Sequence, residues 1–174
     1  MRFIYLSTTK EKEYETKEST INSFKDYLRG SYKKFHISDG KIDKNKFEVN
    51  EDIFFLRAEK VLGYYTYKVI AYCKSRSDIK KTEENDLDLY PYYFEINPNS
   101  LRIFVDGIDI KYFQNFVNDA SNGIKKVNFT GSIKGNQFNG PTSWIYFDKT
   151  DSAKIMEWFR TVIIEENIQV ICNL

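Results

Sequence analysis

Gly63-Tyr64-Tyr65-Thr66-Tyr67-Lys68-Val69-Ile70-Ala71-Tyr72-Cys73-Lys74 is the stretch that decides the fold. β-Branched and aromatic residues dominate it, so it reads as a long strand opened by Gly63. Strict alternation puts Tyr65, Tyr67, Val69, Ala71 and Cys73 on one face and Tyr64, Thr66, Lys68, Ile70 and Tyr72 on the other. Both faces carry tyrosine, so at least one is amphipathic rather than dry. Just upstream, Asp52 to Ala58 holds the apolar run Ile53-Phe54-Phe55-Leu56, a second strand, and Glu59–Leu62 forms a tight connection between the two. Downstream, a polar loop over 75–88 leads to Tyr90-Pro91-Tyr92-Tyr93-Phe94-Glu95-Ile96, a third strand whose proline belongs at its start or on an edge. Asn97-Pro98-Asn99 then reads as a turn, and Leu101 to Val105 as a short strand ending at Asp106-Gly107.

The flanks add helices and further short strands. Phe3-Ile4-Tyr5-Leu6 is a short buried strand, followed by a charged, turn-like segment over 8–17. Ser19 or Thr20 caps a helix whose stripe is Ile21, Phe24 and Leu28 and whose stop is Gly30. Residues 31–50 alternate loosely about Asp39-Gly40, a hairpin signal. Ile110, Phe113 and Val117, widened by Phe116, sit at helical spacing. Residues 121–142 are glycine-rich loop with a strand near Val127–Phe129, and Ser143 to Phe147 is another strand. Asp148 or Thr150 caps a last helix with the stripe Ile155, Met156, Phe159, Val162 and Ile163. Trp158 within it reads as packing. The apolar finish Ile168–Cys172 is that of a module of a longer protein. The expected architecture is one α+β domain over 1–174, a small curved β-sheet or barrel flanked by two or three short helices. The regular βαβ alternation of nucleotide-binding folds is missing.

Composition excludes several kinds of chemistry. The 174 residues include 14 Phe, 13 Tyr and 2 Trp, 17% aromatic, against one His and two Cys. A single histidine, His36, rules out a two-His metal site within this chain. Cys73 and Cys172 stand too far apart for a CxxC motif. No apolar stretch approaches the roughly 18 residues of a spanning helix, and none resembles a signal peptide. A cytoplasmic protein without metal, cofactor or membrane is expected. His36 lies in a lysine-flanked stretch with no GxSxG elbow, and reads as a structural histidine. Gly131-Ser132-Ile133-Lys134-Gly135 lacks the spacing of a phosphate loop. Glu15-Thr16-Lys17 has the letters of a nuclease Glu-x-Lys pair but not the strand that would hold it. The acidic run Glu83, Glu84, Asp86 and Asp88 has nothing to fix its carboxylates. The chain reads as a non-enzyme.

Binding is better supported. Net charge is only +1, yet the signs are segregated: residues 25–46 carry seven bases and three acids, 74–81 four bases and one acid, and 122–137 three bases and no acid. Lysine-rich turns are also ordinary solvated surface, but three such stretches can converge on a phosphate backbone. Lys33, Lys34, Lys74, Arg76, Lys125 and Lys126 are the candidate phosphate contacts. Tyrosine and tryptophan present flat apolar faces with a polar handle, suited to stacking on a base. Those rings fall in Tyr64/Tyr65/Tyr67, Tyr90/Tyr92/Tyr93, and Trp144 with Tyr146. Any one ring is more readily explained as core, whereas some of the thirteen tyrosines must keep their hydroxyls near water or a partner.

The order of these elements resembles the PUA-like superfamily, and within it the EVE and YTH domains. Arg2–Leu6 and a helical segment come first. The paired strands Ile53–Leu56 and Gly63–Ala71 are similar to that group's apolar strand, turn, glycine and strand, and Tyr93–Ile103 to the strand and connection that follow. A closing helix comes after Trp144–Phe147. The resemblance implies a barrel that reads a modified, extruded base in an aromatic cage, as in modification-dependent restriction systems, where such modules join a motor or nuclease. The matching pocket positions are Tyr5 and Ser7 at the first strand's exit, Tyr64 and Tyr65 beside Gly63, and Trp144. The chain departs from the group in having no tryptophan just after the first strand, where 8–17 offers only Tyr14. A B3-like DNA-binding barrel would give a similar strand pattern. The leading expectation is a DNA-binding module that flips a base into an aromatic pocket. From a different class, the alternative is a phage or host-defence factor whose aromatic surface meets a partner protein.

Overall fold

The computed structural model describes residues 1–6, 17–37, 47–61, 64–83, 91–124, 132–134, 137–139, 144–146 and 149–172. Strands β1 (Arg2–Leu6), β2 (Lys34–Ile37), β3 (Asp52–Val61), β4 (Tyr64–Ser75), β5 (Lys80–Lys81) and β6 (Tyr92–Asp109) are followed by the short β7 (Ser132–Lys134), β8 (Gln137–Asn139), β9 (Trp144–Tyr146) and β10 (Val170–Ile171). Helices α1 (Lys17–Leu28), α2 (Ile110–Asn118) and α3 (Lys149–Glu165) complete the chain. One mixed sheet runs β10-β6-β4-β3-β1-β9, with β2 and β5 also hydrogen-bonded to β6, while β7 and β8 pair separately. β1 and β3 are parallel, and the other pairs are antiparallel. The fold is α+β, and the sheet curls into a half-barrel with three helices around it.

The curl has local causes. β3 and β4 slip register between Phe55 and Leu56, which face Ala71 and Val69, so Ile70 is the extra residue of a bulge. β6 carries two larger interruptions against β4, one between the partners of Lys74 and Tyr72 and one between those of Ala71 and Val69. The first interruption contains Asn97-Pro98-Asn99. It is a wide bulge in a continuing strand, not the expected turn. Asn97 Oδ1 accepts from the Asn99 N–H at 3.1 Å, and Ser100 Oγ donates to the Asn97 carbonyl at 2.8 Å. The Lys74 N–H, which would otherwise lose its acceptor, donates to Ser100 Oγ at 2.7 Å. Serine hydroxyls repair the network twice more: Ser75 Oγ accepts from the Glu51 N–H at 3.0 Å, and Ser77 Oγ accepts from the Glu95 N–H at 3.0 Å.

Both faces of the sheet are covered. Phe3, Phe54, Leu56, Val69, Phe104 and Ile108 pack against Ile110 and Phe113 of α2 and Ile155 and Phe159 of α3. Ile4, Ile53, Phe55, Ala71, Cys73, Phe94 and Ile96 pack against Phe24 of α1 and Ile37 of β2. Phenylalanine fills much of this interior. Phe54 stacks on Phe159 at 4.3 Å and 19°, and on Phe3 at 5.1 Å and 18°. Such near-parallel contacts add modestly to the area the rings bury. Trp158 stacks on Phe116 at 5.0 Å, the packing role read for it.

The bulge at Ile70 corrects the reading of β4. Tyr67 and Val69 face α2 and α3, but Ala71 and Cys73 face α1, and Tyr72 lies with Tyr67. One extra residue has inverted the alternation. One further reading changes: β3 continues through Val61, which pairs with Tyr64, so Glu59, Lys60 and Val61 are strand rather than connection. β2 pairs with β6, and the Asp39-Gly40 turn and the residues just after it, as well as Leu62, Gly63 and the Val127–Phe129 strand, lie outside the described residues. Gly30 ends α1 as expected, at φ +78°. None of the helices among the described residues is long and apolar enough to cross a membrane.

Candidate nucleic-acid interface

The N-terminal half of β6 is flanked by two strands whose sequences are basic. Antiparallel pairing sets Lys34 opposite Glu95, Phe35 opposite Phe94, His36 opposite Tyr93 and Ile37 opposite Tyr92. On the other side, Lys80 faces Tyr93 and Lys81 faces Tyr92. Directly paired residues share a face of the sheet. Lys34, His36, Tyr93, Glu95 and Lys80 therefore share one face, and Phe35, Ile37 and Phe94 share the other. The second face is core: Phe94 is 0% exposed, and Phe35 packs on it at 5.4 Å. On the first face Lys34 and Lys80 are exposed, while His36, Tyr93 and Glu95 are half-buried.

Tyr93 stands at the centre of this surface. The His36 ring lies 5.7 Å away at 41°, and Lys34 Nζ sits 4.7 Å from the Tyr93 centroid, a cation–π distance. His36 Nδ1 is shut off from solvent with no hydrogen-bond partner among the described residues, so its ring is held by packing against Tyr93. Lys33 and Arg76 are exposed at the rim, while Lys81, also exposed, pairs with Tyr92 and so belongs to the opposite face. The Arg76 N–H donates to the Glu95 carbonyl at 2.7 Å, and the Lys33 carbonyl accepts from the Ile96 N–H at 3.0 Å, so both residues are tied to β6. Glu95 is the acid on the face, and Asp78 and Glu83 lie exposed along the loops beside β5. Lys34 and Lys80, from two distant stretches, thus flank one tyrosine on this face.

Of the six expected phosphate contacts, the structure gathers Lys33, Lys34 and Arg76 here. Lys74 is elsewhere and engaged: its Nζ lies 3.1 Å from Asp52 Oδ1, which also accepts from the Tyr72 hydroxyl at 2.7 Å. Burial raises the Tyr72 hydroxyl pKa above its ordinary value, with the bond to Asp52 adding to the shift. Lys74 is left out of the interface for that reason. Lys125 and Lys126 lie outside the described residues, as does Ser7. Tyr5, Tyr64, Tyr65 and Trp144 have described backbones, pairing with Leu56, Val61, Lys60 and Ile4 respectively, but their side chains lie outside the described set. Tyr5 and Trp144 thus belong to neighbouring strands, since β1 lies between β3 and β9.

At the exit of β1, Leu6 pairs with Arg57, and a shallow cleft beside it is lined by Thr20, Ile21, Arg57, Ile70, Val105, Asp106 and Gly107. Arg57 Nη1 donates to Thr20 Oγ1 at 2.6 Å, and Lys68 Nζ donates to the Asp106 carbonyl at 3.2 Å. The cleft holds no space for a water molecule, so these residues alone offer no room for a base. Among the described residues no group of three or more His, Cys, Asp and Glu is arranged to hold a metal ion. Sequence reading missed the convergence of Lys80 and His36 on Tyr93. The signal was only the lysine pair 80–81, inside a segment read as loop. No protein-family model matches this chain, and no curated protein matches it.

Proposed function

We propose that the chain is a DNA-binding recognition module, without chemistry of its own, that reads a modified, for example methylated, base flipped out of the helix. It would serve as the specificity element of a restriction or defence system alongside a motor or nuclease. The observation that carries this reading is the placement of Lys34 and Lys80 on one face with Tyr93 and His36, with Lys33 and Arg76 exposed beside it. Bases of that kind hold phosphates and fix register, and aromatic rings receive the base. The order of elements that resembles the PUA-like superfamily supports the same reading.

A binding assay with modified and unmodified duplexes across a salt series tests it. Four phosphate contacts correspond to a slope of log affinity on log salt of about −3.6 for duplex DNA, a loss of about a hundred-fold between roughly 50 and 200 mM salt. A modified duplex should bind tighter than its unmodified twin. Absence of binding to any duplex or single strand at low salt overturns the proposal.

A further inference from the structure

We infer that Tyr93, backed by His36, is the ring on which an unpaired base stacks, so that this face prefers single-stranded or extruded nucleotides to intact duplex. The inference rests on the nucleic-acid reading above and names the form of nucleic acid that the face takes.

Tyr93 has no part in the interior. Its neighbours Tyr92 and Phe94 belong to the core packed against α1 and β2, whereas Tyr93 and His36 belong to neither core cluster. Alternation along β6 drives Phe94 inward and leaves Tyr93 on the outer face, where the flanking strands supply His36 on one side and Lys80 on the other. An aromatic pair on the outer face of a three-stranded patch, ringed by cations, is the arrangement that suits an unpaired base: the ring takes the base and the lysines take the phosphates on either side. An intact duplex keeps its bases stacked on one another and offers such a surface only phosphates. Lysines alone would serve a duplex, and the rings would add nothing.

The cation over the ring is compatible with this use. Lys34 Nζ, 4.7 Å from the Tyr93 centroid, sits on a flexible stem from an exposed position, so it can swing to a phosphate as a base takes its place. Glu95, paired with Lys34 in register, leaves the site less positive than a bare lysine cluster. That balance favours stacking over indiscriminate phosphate binding.

The test compares a labelled oligothymidylate strand, an oligouridylate strand and a fully paired DNA duplex of equal length, with the wild-type chain and with Tyr93→Ala, Tyr93→Leu and Tyr93→Phe. The wild type should bind at least one of the strands more tightly than the duplex, and which strand it prefers tells DNA from RNA. Tyr93→Ala and Tyr93→Leu should each weaken strand binding by about tenfold while changing duplex binding by less than about twofold, and Tyr93→Phe should keep strand affinity. Tyr93→Leu keeps apolar bulk without a ring, so a loss shared by both variants with unchanged thermal melts reports stacking rather than misfolding. Duplex bound as tightly as either strand, or strand affinity indifferent to Tyr93→Leu, overturns the inference while leaving duplex recognition standing. Loss of binding to all three probes at low salt removes the nucleic-acid reading itself.

Discussion

Replacing Gly107 with alanine should be far more damaging than the same change at Gly30, although both glycines have positive φ. Gly107, at φ +67°, lies in the β6 interruption that borders the Arg57 cleft, and Gly30, at φ +78°, ends α1. A Cβ at Gly30 meets nothing within 4 Å, so that substitution isolates the cost of a left-handed alanine. That cost is about 1–2 kcal/mol, partly offset by about 0.4–1 kcal/mol from the smaller entropy of the unfolded chain. At Gly107 the new Cβ would stand 2.9 Å from Lys68 Cβ and 3.3 Å from the Val69 carbonyl oxygen. Neither atom can move without shifting β4, and overpacking of that kind adds about 1–3 kcal/mol. Gly30→Ala should therefore cost about 1 kcal/mol and Gly107→Ala about 2–4. At about 2–4 °C per kcal/mol for a chain of this size, the thermal midpoints should separate by several degrees. Urea unfolding with unchanged slope gives the free energies directly. Lys68→Ala in the Gly107→Ala background should not rescue stability, because the clash is with Cβ itself. Equal destabilisation by Gly107→Ala and Gly30→Ala would refute the close approach of β6 to β4 at this point.

Three more outcomes follow from named contacts. Ser75→Ala should cost about 2 kcal/mol in urea unfolding, because the buried Glu51 N–H and the Glu48 carbonyl both lose their hydroxyl partner; a change below about 0.5 kcal/mol contradicts the repair role. Burial raises the Cys73 thiol and the Tyr27 and Tyr72 hydroxyls above their ordinary pKa values, with the Asp52 bond contributing at Tyr72. The native state thus keeps protons that the unfolded chain has already lost. Stability is fully present below the unfolded values, near pH 8.5 for the thiol and pH 10 for the phenols, and falls above them by about 1.4 kcal/mol per pH unit per group. A urea midpoint that stays flat between about pH 8 and 11 would sink this, and Tyr72→Phe should remove one group's share of the slope. Finally, Lys74→Ala should leave the salt dependence of DNA binding unchanged, since Asp52 already holds that ammonium. Lys34→Ala and Lys80→Ala should each reduce the slope by about 0.7–0.9.

Much of the fold is written in short-range pattern. The run Ile53–Leu56, the β-branched and aromatic stretch after Gly63, and the stripes of α2 and α3 specify their elements, because burying an apolar face demands its period. Gly30 marks the end of α1 for an equally local reason, the left-handed backbone it adopts. The segregation of charge into 25–46 and 74–81 was likewise plain in the order of residues. The composition also fixed the aromatic excess, although not its division between phenylalanines in the core and Tyr93 on the surface.

What tertiary structure decided is pairing. The period-two argument holds only while a ladder is unbroken, and the bulge at Ile70 depends on how β3 meets β4, a relation that no window of β4 contains. For the same reason Asn97-Pro98-Asn99 looked like a reversal: its local chemistry is that of a turn, but Ser100 supplies the acceptor that lets the strand continue beside β4. The candidate site is the extreme case. Lys34 and His36 reach Tyr93 from one side and Lys80 from the other because β6 accepts hydrogen bonds along both edges there. The residues that meet are dozens of positions apart, and only the backbone groups of a shared strand bring them to one face.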